Sequence, residues 1–117
     1  MNVAIIITDS EGRPDKRGSA QIAIGAYGIP PLRVSETEVD GGKIKRSEET
    51  ICDMLAASAA LLMGQRGFNR PVVRINGFDY KFDVDANIND ALNDNTLYAA
   101  RTPHLTSLKQ RAIPREL

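Results

Sequence analysis

Val3-Ala4-Ile5-Ile6-Ile7 is an unbroken apolar run that gives way at Thr8-Asp9-Ser10-Glu11-Gly12-Arg13-Pro14 to hydroxyls, carboxylates and turn formers. A continuous β-branched run suits a strand buried on both faces. A central strand is therefore expected over about residues 3–8, with a loop over 9–18. Ala20-Gln21-Ile22-Ala23-Ile24-Gly25-Ala26 predicts a second strand, in which Gly25 and the following Gly28 mark close backbone approach or a bulge. Gly28-Ile29-Pro30-Pro31 ends it, and the polar stretch from Ser35 to Gly42 reads as a surface connection.

The clearest helix is expected to start at Ser47 as N-cap, with Glu48 and Glu49 in its first turn, where carboxylates favour the positive end of the helix dipole. Its apolar stripe is Ile51, Met54, Leu55, Leu61 and Leu62, filled in by Ala57, Ala59 and Ala60, and Gly64 falls just past its end. Alanines on several sides suit close packing by other elements or by a partner chain. Pro71-Val72-Val73-Arg74-Ile75 reads as a strand, Asn76-Gly77 as a hairpin turn, and Phe78, Tyr80 and Phe82 alternate after it. Beyond Asp83 the pattern weakens to short helical segments near Ile88–Leu92 and Leu97–Arg101, closed by Pro103, and a tail. These elements predict an α+β fold: a mixed sheet packed with one principal helix and completed by a partner chain.

The chain's 117 residues set one domain as the expectation, large enough to bury a core without staples. Its formal net charge is zero, and its densest basic cluster, Lys43, Lys45 and Arg46, lies beside Glu48 and Glu49. With aromatic residues at only 5%, neither phosphate-backbone binding nor base stacking is the main job. The single Cys52 excludes an intrachain disulfide and sits in the helical pattern as a small packed hydrophobe. The chain carries no apolar run near 20 residues and no signal-peptide pattern, so a cytoplasmic protein is expected. His104 has no second histidine with which to share a metal, and no zinc site is expected.

Candidate chemistry concentrates at two places. Asp9-Ser10 supplies hard oxygen ligands where the first strand is expected to stop, and Arg13 follows close enough to reach a phosphate. Strand ends of open sheets are where ligands bind, which points to a metal and phosphate site. Met63-Gly64-Gln65-Arg66-Gly67 follows the helix as a second glycine-containing stretch. Each has a plain alternative, a turn residue in the first case and a helix cap with its loop in the second. Asp85-Ala86-Asn87-Ile88-Asn89-Asp90 opens like a calcium loop but lacks Gly at its sixth position, and Thr96 stands where the twelfth needs Glu. Neither a P-loop nor a dinucleotide fingerprint is present.

Taken together, Thr8-Asp9-Ser10-x-Gly12-Arg13, then Gly18-x-x-x-Ile22-Ala23-Ile24-Gly25-x-x-Gly28, Ser47-Glu48, Leu61-Leu62-Met63-Gly64 and Pro71-Val72-Val73 resemble the carboxy-terminal half of the coenzyme F420:L-glutamate ligase family. The likeness runs over residues 3–78 of a single domain spanning 1–117, with 79–117 a divergent tail. It implies an enzyme that spends GTP to activate a carboxylate of a deazaflavin or folate-like acceptor as an acyl phosphate, which the amine of glutamate attacks. Divalent Mg2+ or Mn2+ would organise the phosphates. By position, Asp9, Ser10 and Gln65 would hold metal, and Arg13 with Met63, Gly64, Gln65, Arg66 and Gly67 would lie along the nucleotide. The resemblance also implies a homodimer with its site near the subunit interface.

Departures accompany the matches. Gln65 stands where the family can carry a metal-binding Glu, Ser10 where it has Thr, and Asn76 where Arg usually precedes Gly. The correspondence starts midway along the family's length, so an amino-terminal half or a partner is expected to supply further nucleotide contacts and another metal-binding Asp. Two functions follow: a ligase domain needing that complement, or a non-catalytic binding or oligomerisation module on the same fold.

Overall fold

The computed structural model describes residues 2–67 and 69–93. Its first element is a β-hairpin: β1 (Ile5–Arg13) and β2 (Lys16–Tyr27) run antiparallel and are joined by a tight turn at Pro14-Asp15. The expected loop over 9–18 is thus strand on both sides of that turn. Polar residues tolerate this because an antiparallel pair satisfies its backbone within the ladder while its side chains meet water. Nor is β1 a strand buried on both faces, for Ile5 and Ile7 are 57% and 59% exposed.

The register of this hairpin shifts twice, between Ile7 and Thr8 and, near the tip, between Gly12 and Arg13. Ile7 pairs with Gly25, but Thr8 pairs with Ala23, leaving Ile24 as an extra residue in β2. This is a β-bulge. Because of it, Ala26 and Ala23, three residues apart, face the same side as Ile6 and Thr8. Ala23 is buried there, while Ile24 is 53% exposed.

A second hairpin consists of β3 (Arg33–Val39), a short 3-10 turn at Asp40–Gly42 and β4 (Lys43–Glu49). The expected surface connection from Ser35 to Gly42 is therefore half of a ladder. Ser47 pairs with Ser35 inside β4, so it does not cap the helix. Helix α1 (Ile51–Met63) starts after Thr50, and its first-turn acid is Asp53 in place of Glu48 or Glu49. Those two glutamates are held across the ladder, Glu48 opposite Val34 and Glu49 opposite Arg33. The Arg33 Nε donates to Glu49 Oε2 at 2.7 Å, a bond that with the guanidinium charge holds the Glu49 carboxyl below its ordinary range. The helix ends as expected at Gly64, with φ of 68° and an N–H donating to the Ala60 carbonyl at 2.9 Å.

The buried face of α1 is Ile51, Cys52 and Ala56, with Leu55 half-buried; Met54, Leu61 and Leu62 are exposed. The expected stripe is rotated because small residues at positions 52 and 56 let the helix approach β2 closely at Ala23. Ala23, Ile29, Ile51, Cys52 and Ala56 form the core, flanked by Ala4, Ile6, Ala26, Phe78, Tyr80 and Ile88.

Residues 71–82 form neither the expected strand nor the Asn76-Gly77 hairpin. Their aromatic alternation is used for packing instead of pairing. Phe78 and Tyr80 stack at 6.3 Å against the core, and Phe82 meets Tyr27 edge-on at 6.2 Å. Phe82 also lies over Gly28, whose φ is +78° and where a Cβ would come within 2.5 Å of the ring. Gly28 thus marks a close approach, whereas a Cβ at Gly25 would make only ordinary contact with Ile7 at 3.5 Å. Asp83 donates its N–H to the Gly28 carbonyl at 3.1 Å, and a 3-10 helix at Ile88–Ala91 stands where a weak helix was expected. The segment at 97–101, His104 and the tail lie outside the described residues. The fold is α+β, with two separate two-stranded antiparallel sheets in place of the expected mixed sheet.

Candidate functional site

Successive strand residues point to opposite faces. Within β1, Thr8 and Ser10 face the helix side with Gln21 and Ala23, while Asp9 faces outward with Ile22. Asp9 therefore lies within a strand, where the sequence suggested a strand end. Its Oδ1 accepts the Ser10 N–H at 2.8 Å, and the Thr8 hydroxyl donates to Gln21 Oε1 at 2.6 Å. Arg13 closes β1 opposite Lys16 at the exposed tip, four residues and about 13 Å along the strand from Asp9.

The remaining expected site residues follow α1. Met63, Gly64, Gln65, Arg66 and Gly67 line a cavity of about 320 Å3 together with Asn69, Arg70 and Pro71. Gly64, Gly67 and Asn69 have φ of 68°, 80° and 50°. The chain thus turns repeatedly within a few residues, while the Gly64 N–H is taken up by the Ala60 carbonyl. Arg66 and Arg70 add two cations to this wall. A second, mostly apolar cavity of about 400 Å3 lies along the helix side of β1, lined in part by Ile6, Thr8, Leu55, Val72, Phe78 and Tyr80.

The structure thus gathers positions 63–67 around one cavity and Asp9 with Ser10 on one strand. No hydrogen bond or ion pair among the described residues joins the two groups, nor do they contain a cluster of three or more His, Cys, Asp or Glu side chains. The donors on β1 are a carboxylate and a hydroxyl, oxygens suited to a hard cation such as Mg2+ or Mn2+. Because they face opposite sides, the two side chains do not converge on one ion.

Sequence reasoning missed Asp53. Its Oδ1 accepts the Ala23 N–H at 2.9 Å, tying the first turn of α1 to the bulge in β2. Placing the helix start at Ser47 hid this acid in the helix interior; the clue was an acid three residues after Thr50. Cys52, expected as a packed hydrophobe, is buried with its Sγ 3.7 Å from the Pro30 carbonyl.

The profile of the F420-0:Gamma-glutamyl ligase family matches residues 1–77. A coenzyme F420:L-glutamate ligase of Methanosarcina mazei is 40% identical over 91 residues, 76% of this chain and 36% of the relative. Those of Methanosarcina barkeri and Methanocaldococcus jannaschii are each 42% identical, over 67% and 68% of this chain and 31% and 33% of the relatives. The chain spans about a third of the length of the curated relatives it matches.

Proposed function

The chain belongs to the F420-0:gamma-glutamyl ligase family, and from that premise we propose that it forms part of a GTP- and divalent-metal-dependent ligase site that adds glutamate to an acceptor carboxylate. The named activity of its relatives supports a coenzyme F420-type acceptor, with a folate-like one as the chemical alternative. The cytoplasm is its proposed location, and the same chain again, or a polypeptide carrying the rest of the site, its proposed partner.

The observation that carries this reading is the cavity after α1, where Gly64, Gly67 and Asn69 turn the backbone beside Arg66 and Arg70. Such a wall offers guanidinium charge to phosphate oxygens. Arg66 and the backbone at Met63, Gly64 and Gly67 would bind the nucleotide, with Arg13 meeting phosphate from the hairpin. Asp9 and Ser10 would each hold one cation, and Gln65, a neutral amide, would hold its ion more weakly than a Glu. The metal supplies charge neutralisation at the γ-phosphate. An oxygen of the acceptor carboxylate would attack the γ-phosphorus as the bond to GDP breaks. The glutamate amine would then attack the acyl carbon, lose a proton and expel phosphate, leaving an amide.

Calorimetric titration with Mn2+ and with GTP tests this, using the chain alone and mixed with a polypeptide covering the rest of the family's length. Outer-shell changes at metal sites cost about 10- to 100-fold in affinity, so losing the ligand itself in Asp9→Ala should weaken Mn2+ at least as much. Arg66→Ala should weaken GTP and leave Mn2+ alone. If neither ligand binds in either format, or Asp9→Ala binds Mn2+ unchanged, the reading is wrong.

A further inference from the structure

We propose that Asp53 is a positioning residue for the Asp9-Ser10 edge: its carboxylate locks the β-bulge at Ile24, and the bulge decides which residues of β2 stand opposite Asp9 and Ser10. The metal role of that edge rests on the function proposed above; the locking of the bulge does not.

The argument starts from the register. Without the extra residue, the pairing Ile7↔Gly25 would continue as Thr8↔Ile24, Asp9↔Ala23 and Ser10↔Ile22. A one-residue slip exchanges the faces of a strand. Ala23, now buried against α1, would turn outward, and Ile24, now 53% exposed, would be driven into the narrow space facing Cys52 and Ala56. Thr8 would lose Gln21, the acceptor of its hydroxyl at 2.6 Å. Asp9 and Ser10 would then stand opposite Ala23 and Ile22 in place of Ile22 and Gln21, and the edge would offer different neighbours to any ion.

One contact from outside the hairpin opposes that slip at the residue where it would begin. Asp53 Oδ1 accepts the Ala23 N–H at 2.9 Å, and Asp53 is held in place by the first turn of α1. Ala23 is 9% exposed, so water is a poor substitute for this acceptor. The bond fixes Ala23, and therefore Thr8 opposite it, relative to the helix. It also couples the edge to the helix whose far end opens into the Met63–Gly67 loop. Asp53 touches neither ion nor nucleotide in this account; it acts through β2.

Geometry and charge are separated by two substitutions. Asp53→Asn keeps an acceptor oxygen at the same reach and removes the charge. Asp53→Glu keeps the charge but carries the carboxylate one methylene too far. Nuclear Overhauser contacts and amide exchange read the register directly: Asp53→Asn should retain the pairs Asp9↔Ile22 and Ser10↔Gln21, and Asp53→Glu should lose them while Ala23 amide exchange rises about tenfold or more. Mn2+ affinity should follow the register, staying within about twofold in Asp53→Asn and falling about tenfold in Asp53→Glu, the scale of outer-shell effects. Should Asp53→Glu fail to fold, Asp53→Ser, too short to reach the Ala23 N–H, takes its place with the same expectations. Native pairing and protection in Asp53→Glu overturn the proposal. Loss of those pairs in Asp53→Asn also overturns it, because helix-end charge and not the reach of the acceptor oxygen would then be the operative property. A wild-type chain that binds no Mn2+ refutes the metal role of the edge, while the pairing data still confirm or refute the lock.

Discussion

Cys52 packs at 1% exposure between Ile51 and the Pro30-Pro31 turn, and burial, followed by the charge of neighbouring Asp53, pushes its thiol up to about 11 from an ordinary 9.0. The neutral thiol is thus the form the folded chain accepts. A group whose folded pKa lies above its unfolded value contributes stability that is complete below the unfolded value and is lost as pH rises through the folded one. The relevant window runs upward from about pH 9 toward 11. Urea unfolding of the wild type and Cys52→Ala should show a wild-type advantage that is constant near neutrality and shrinks through that window. An advantage unchanged at pH 10.5 would contradict the burial account. The comparison with Cys52→Ala matters because it isolates the thiol from every other group that the two proteins share.

Among the elements, α1 shows how packing partners select a helix face. Ala56 is buried and Leu61 is 87% exposed, the reverse of what their hydrophobicity alone suggests. Ala56→Leu should therefore destabilise by about 1–3 kcal/mol through overpacking. Leu61→Ala should stay within about 0.5 kcal/mol of wild type. Urea midpoints of the two variants decide it, and a larger loss at Leu61 would mean that the exposed face is covered in solution. The same packing explains what could be read from the chain beforehand. The helix end at Gly64 was legible because a left-handed cap is a local property, and so was Cys52 as a packed residue. The helix start was not, because Ser47 satisfies every local rule for a cap while its pairing with Ser35 depends on a second strand. Asp9, Ser10 and the Met63–Gly67 loop stood out by residue type and by family likeness. The residues of β2 that stand opposite Asp9 and Ser10 could not, because that pairing follows from Ile24 being an extra residue between two pairs.

At the scale of the molecule, the core among the described residues belongs to the first hairpin with Ile29 just after it, α1 and the aromatic segment after residue 77, and the second hairpin contributes nothing to it. β3 is exposed throughout, and β4 is exposed except for half-buried Glu49. A two-stranded hairpin without a packed face is marginal in water. The exposed Arg33–Glu49 ion pair joins its two strands to each other, and toward the rest the Arg33 guanidinium lies 5.9 Å from the Phe78 ring centroid. Water screens exposed contacts of both kinds, so they hold the hairpin only weakly. Native-state hydrogen exchange with rising urea should therefore divide the chain. Amides from Val34 to Glu48 should exchange through local opening at close to zero free energy, and those of Ala23 and of 52–56 only with global unfolding. Thr8 should join the slow class through Ala23, whereas Arg13 at the hairpin tip should exchange early. An equal opening free energy for β4 and α1 would refute this division and make the second hairpin part of the cooperative unit. The expected order places Asp9 and Ser10 between the rigid and the mobile parts of one strand, so anchoring at Ala23 rather than at the Pro14-Asp15 turn governs how well that edge can hold an ion.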